Sequence, residues 1–156
     1  MYVPGSHVAV DECVVAYTGR SVLTTTIPNK PHPTGFKVWV IAQRGLFLRW
    51  IWHMPGRGPI GIPKRRPTEE IHLNPTQQVV IHLASLLPQL RYHLFLDNLF
   101  SSPNLFRVLR AMNIGASGTA RMNAGLYEGI VRAKQKPDSS KPWGWIHSVP
   151  TEDGQV

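Results

Sequence analysis

A chain of 156 residues makes one domain of ordinary size, and 42% hydrophobic content supports a core and argues against global disorder. Lys and Arg outnumber Asp and Glu by 17 to 9, a net charge of +8, which fits an anionic partner, nucleic acid first, and equally fits simple solubility charge. A single cysteine, Cys13, excludes an internal disulfide framework and a Cys-rich zinc site, and none of the seven histidines has another at HxxxH spacing. The opening residues, MYVPGSHVAV, lack the basic and then apolar regions of a signal peptide. The most apolar stretch, Phe36 to Met54, is interrupted by Lys37, Gln43, Arg44, Gly45 and Arg49, so no membrane span is expected. The expectation is a soluble, intracellular, basic domain.

Elements follow in order. His7 to Tyr17, HVAVDECVVAY, is rich in valine and reads as a strand. Prolines 28, 31 and 33 exclude a helix from the basic, turn-rich stretch after it. Phe36 to Gln43 and Leu46 to Met54 are β-rich runs separated by Arg44 and Gly45, the pattern of an antiparallel hairpin. The N-terminal third is therefore expected to be a three-stranded antiparallel unit. Trp39, Trp50 and Trp52, inside those runs, are expected in the core. Pro55 to Leu73, with Lys64, Arg65 and Arg66, is expected to be an exposed loop of unusual length, solvated or touching phosphate.

Helix signals come next. Asn74 can cap, Pro75 suits the first helical position, and Gln77 completes a capping box. Val79, Val80, Leu83, Leu86 and Leu87 fall on one helical face, and Pro88 ends the pattern. Tyr92 to Asp97 is short and apolar on both faces, like a central strand. Ser102 and Pro103 open a second helix with an apolar stripe at Leu105, Phe106, Leu109 and Met112. Ile114 to Arg121 is a weaker last strand, and from Val131 onward no periodicity remains. The fold class is thus α/β, in the order βββ-α-β-α-β. That is the order of a ribonuclease H-like core, a mixed sheet flanked by helices; a plain mixed α/β sheet is the alternative.

Two of the nine acidic residues, Asp11 and Asp97, sit within apolar runs. In a ribonuclease H-like arrangement their strands are neighbours. Two like charges a few ångströms apart repel by roughly 3–4 kcal/mol at an effective dielectric near 20, so a proton or a divalent cation must offset them. Mg2+ prefers carboxylate and water oxygens, and two such ions catalyse phosphodiester chemistry. The alternative is that each Asp hydrogen-bonds locally.

VAVDECVVAYTGR, IPNKP, GFKVWVIA, FLDNLFSSPNLFRVLR and GASGTARMN, in that order over residues 7 to 131, resemble the piggyBac transposase family. The matching pieces are Asp11-Glu12, Gly19-Arg20, Pro28 to Pro31 with Gly35 and Lys37, Asp97-Asn98 with Phe100, Ser102 and Leu105, and Gly118-Thr119 with Arg121 and Asn123. The GPIGIPKRR loop is similar to that of fungal members of the family. The resemblance implies a cut-and-paste DNA transposase core over residues 1–131, with a loosely ordered tail over 132–156. It also implies three catalytic aspartates holding Mg2+ or Mn2+, DNA as partner, a nuclear location and homodimers in the family, with no small-molecule substrate and no membrane. Asp11 and Asp97 match the first two catalytic and metal-binding aspartates, and Asn98 would orient Asp97 or contact the backbone. Arg20, Lys30, Lys37 and Arg121 match DNA-facing positions. The third aspartate is expected in a "GVD..D" context that this chain lacks, and Asp138, Glu152 and Asp153 show no helical pattern that would replace it. The chain therefore reads as a transposase remnant, incomplete at its C-terminus, with a weak metal site and little activity alone. The alternative is a non-catalytic DNA-binding or protein-interaction module domesticated from a transposon.

Overall fold

In a computed structural model, which describes residues 2–28, 31–63, 71–88, 90–136 and 139–150, the first three long strands are β1 (His7–Ala16), β3 (Thr34–Gln43) and β4 (Leu46–Met54). Arg44 and Gly45 join β3 to β4 with φ of 49° and 81°. Two successive positive φ values define the tight hairpin turn whose twist matches the strands it connects. The register slips by one residue between Ile41 and Ala42, a bulge that bends this hairpin. β2 (Thr25–Thr26) adds to β3 and β5 (Gly58–Pro59) to β4, two short pairings within stretches read as irregular.

α1 (Pro75–Ser85) starts as its sequence signals. Asn74 Oδ1 accepts from the Gln77 backbone N–H at 2.8 Å, and Gln77 Oε1 accepts from that of Asn74 at 3.1 Å. β6 (His93–Leu96), α2 (Pro103–Ala111) and β7 (Gly115–Gly118) follow. Ser102 caps α2 by accepting from the Leu105 N–H at 3.1 Å. Its hydroxyl also accepts from Gln77 Nε2 at 2.8 Å, so one buried contact ties the two helix starts together.

The sheet runs β5-β4-β3-β1-β6-β7. β1 is antiparallel to β3 on one side and parallel to β6 on the other, and β6 is parallel to β7. Val8, Val10, Trp39, Ile41, Ile51, Leu94 and Leu96 point to one face and bury against Val79, Val80 and Leu83 of α1 and Leu105 and Leu109 of α2. Strand alternation sends Asp11, Phe36, Trp50, Trp52 and Phe95 to the reverse face. There Trp50, Trp52 and Phe95 remain 48%, 45% and 46% exposed. Trp39 is a core residue as expected, but Trp50 and Trp52 are not. They pack edge to face on each other, with ring centroids 5.0 Å apart, on a sheet face that no described helix covers.

The C-terminal region contains a helix the periodicity does not reveal, α3 (Glu128–Gln135), which buries none of its residues. Its Arg132 donates to Glu128 Oε1 at 2.6 Å across one helical turn, a contact between exposed groups that stabilises a helix by only a few tenths of a kcal/mol. No described helix is long and apolar enough to cross a membrane.

A one-sided core gives unequal costs for tryptophan removal. Trp39→Ala should lose about 3–5 kcal/mol in urea unfolding. Trp50→Thr should lose about 1 kcal/mol or less. Equal losses would contradict the one-sided packing.

Candidate functional site

Asp11 and Asp97 are brought together by strand register. The parallel ladder pairs Val8 with Leu94 and Val10 with Leu96. Asp11 and Asp97 each lie one residue beyond the last of these pairs, on strands whose backbones run about 4.8 Å apart. Val10 and Leu96 are buried in the helix-covered core, while the two aspartates that follow them are exposed.

Both carboxylates also make the local hydrogen bonds that the sequence leaves open. Asp11 Oδ1 accepts from the Glu12 N–H at 2.7 Å, and Asp97 Oδ1 accepts from the Leu99 N–H at 2.8 Å. The second bond sets a turn in which the Asp97 carbonyl accepts from the N–H groups of Phe100 and Ser101 and from the Ser101 hydroxyl. Gly118 faces this turn across the β6–β7 ladder. A Cβ there would stand 2.4 Å from both the Leu96 carbonyl oxygen and Ser101 Oγ, so the close approach demands glycine. Asn98 accepts from Arg121 Nε at 3.4 Å rather than touching Asp97, which draws the exposed Arg121 to the Asp97 end of the sheet.

The described basic candidates differ in their surroundings. Arg20 is exposed, four residues past the end of β1. Lys37 is turned inward and bonds Glu12 Oε2 at 2.8 Å, with the two side chains 14% and 18% exposed. Its ammonium also lies 4.1 Å from the Trp39 ring centroid. Lys37, DNA-facing by the resemblance, is thus paired in this structure with a neighbour on the covered side of the sheet. Lys30, the Lys64 to Arg66 run, Asp138, Glu152 and Asp153 lie outside the described residues.

The Glu12–Lys37 pair extends to a histidine the sequence did not single out. Trp39 Nε1 donates to His53 Nδ1 at 3.3 Å. Burial, and then the Lys37 charge, hold this imidazole below its ordinary value near 6.5, while Glu12 pulls the other way. The signal was absent because Trp39 and His53 belong to different strands, and only the hairpin register joins them.

A His whose folded pKa is depressed resists a proton that the unfolded chain accepts. The stability this gives is fully present above pH 6.5 and is lost as pH falls through the lower folded value. Urea midpoints at pH 7.5 and 5.5 should therefore show a smaller acid loss in His53→Gln than in the parent. The same loss in both would remove His53 as the source.

Three comparisons place this geometry. The family model described as "Transposase IS4" matches residues 1–140. Over 113 residues the chain is 30% identical to the human PiggyBac transposable element-derived protein 2, covering 70% of this chain and 18% of that one. It also superposes on a piggyBac transposase solved by cryo-electron microscopy as a synaptic complex with hairpin DNA. That match has a TM-score of 0.67 and 25% identity, over 90% of this chain and 27% of the other. The chain thus spans under a fifth of the curated relative and about a quarter of the solved one. With a family model matched over nearly its whole length and a fold shared with a piggyBac transposase, the chain belongs to the transposase IS4 family, on its piggyBac side.

Proposed function

We propose that this chain is a ribonuclease H-like transposase core whose Asp11 and Asp97 provide two carboxylates of a divalent-cation site acting on DNA. The observation that carries this reading is the parallel β1–β6 ladder, which ends with both aspartates exposed on neighbouring strands. The order of three antiparallel strands, then helix, strand, helix and strand, supports the fold.

The donor set fits Mg2+ or Mn2+ in kind, since both ions take carboxylate and water oxygens. A bound ion would supply charge stabilisation to the attacking and leaving oxygens of a phosphodiester. Asp11 and Asp97 would hold it, and the Leu99 N–H keeps the Asp97 carboxylate oriented. Arg121, with Arg20 and Lys30, would contact the DNA backbone, which positions a duplex without reading its sequence. The nucleus is the location this role requires. Among the described residues no third Asp, Glu, His or Cys joins the pair. Two carboxylates fix one ion loosely, and positioning losses multiply in rate, tenfold for each 1.4 kcal/mol. The chain alone is therefore a weak binder with cleavage near background. The same missing ligand favours the second reading, a non-catalytic DNA-binding or protein-interaction module derived from a transposase.

Manganese titration tests the first reading. Mn2+ should broaden the amide resonances of Asp11 and Asp97 at millimolar concentration, and Asp97→Asn should abolish the effect. No broadening at either residue would remove the shared site. DNA cleavage by residues 1–156 should stay at background; metal-dependent cleavage lost in Asp97→Asn would instead mean the site is complete.

DNA binding should be electrostatic. Affinity for duplexes of unrelated sequence should fall alike with rising salt, and Arg121→Gln should flatten the log–log slope by about one. Binding that does not change between low and physiological salt would contradict this.

A further inference from the structure

Away from the aspartates, a half-open cavity of about 350 Å3 lies between α2 and the segment that follows β7. Its size falls within the range of small-molecule sites, roughly 300–1,000 Å3. Phe106, Ile114, Ala116 and Leu126 give it an apolar wall, and Arg107 and Arg110, three residues apart on α2, give it a basic one. Among the described residues no acidic side chain lines it.

Arg107 is the informative member. Its Nε is buried from solvent and has no hydrogen-bond partner. The residue as a whole is only half-buried, but native proteins rarely leave a buried donor atom unmatched, because its lost hydration is not replaced. A guanidinium offers planar paired donors that match a carboxylate or phosphate. An inorganic ion would satisfy that donor but leave the apolar wall in contact with water. A neutral apolar molecule would cover the wall but leave the donor orphaned.

We infer that this cavity binds a small molecule with an oxyanion head on an aromatic or short aliphatic body, the head on Arg107 and the body against Phe106, Ile114 and Leu126. The site is independent of the transposase reading. It uses neither aspartate and lies on the helix-covered side of the sheet. Carboxylate and phosphate heads share the required chemistry, and separate probes distinguish them.

The experiment is a 1H–15N titration of the full chain with phenylphosphate, phenylacetate, benzyl alcohol and inorganic phosphate. At least one of the first two should shift the Gly115, Ala116 and Ala120 amides saturably. Benzyl alcohol and inorganic phosphate should bind at least tenfold more weakly. Arg107→Met should weaken the bound probe tenfold or more, and Arg107→Lys should recover part of that loss. Ala120→Leu, which fills the cavity and leaves both arginines in place, should also abolish binding and covers the case in which Arg107→Met does not fold. Equal binding of benzyl alcohol, equal shifts from inorganic phosphate, unchanged affinity in Arg107→Met or Ala120→Leu, or shifts that map elsewhere would each overturn the inference.

Discussion

The parallel pairing of β1 with β6 is the constraint on which the rest depends. Val8, Val10, Leu94 and Leu96 are buried at 2%, 2%, 0% and 6% exposure, all on the helix-covered face. Burying each such side chain contributes about 1.5–3 kcal/mol. A slip of one residue would send these four to the open face and turn the aspartates inward. The register that serves the core therefore also fixes where Asp11 and Asp97 emerge. The aspartates contribute nothing to that choice; apolar neighbours one residue away make it for them.

The helices then hold the ends of the strands. Gln77 belongs to the capping box of α1 and also donates to Ser102, the cap of α2. Between Asp97 and that cap lies a turn fixed by Leu99, Phe100 and Ser101, and Phe100 is itself wholly buried against Trp39, with ring centroids 5.8 Å apart. Gly118 lets β7 close on the same turn. The geometry behind Asp97 is thus a chain of short contacts from α1 through α2 to β7, and each link has a local sequence signal: a capping pair, a serine before a proline, a glycine at the strand end.

Those local signals explain what could be read from the sequence. Asn74-Pro75-Gln77, Ser102-Pro103 and Arg44-Gly45 act within a few residues of themselves, so composition and spacing reveal them. The pairing of the Asp11 strand with the strand before Asp97 spans most of the chain, so it was legible only through the order of the elements and the fold that order implies, not through any local signal. Trp50 and Trp52 were misplaced for a different reason. Alternation shows that a strand has two faces but not which one a helix will cover, and here the helices cover only the face of Trp39. The Lys37–Glu12 pair leaves no local signal because the two residues are 25 apart in the chain. α3 escaped because it is short and its apolar residues, Ile130, Val131 and Ala133, are few among Gly129 and charged neighbours.

The two acidic neighbours Asp11 and Glu12 show how one strand separates recognition from stability. Alternation places Asp11 on the open face and Glu12 on the covered one. Asp11 is exposed, so its side chain gives up little hydration on folding. Glu12 has no such freedom. At 18% exposure its charge has lost much of its hydration, and Lys37 at 2.8 Å provides the compensation. Removing either partner would leave a partly buried charge beside Trp39 without its ion pair, whereas removing Asp11 takes away an exposed side chain. Two neighbours in one strand thus part company through strand alternation alone: Glu12 is tied to Lys37 within the fold, and Asp11 is left exposed on the open face.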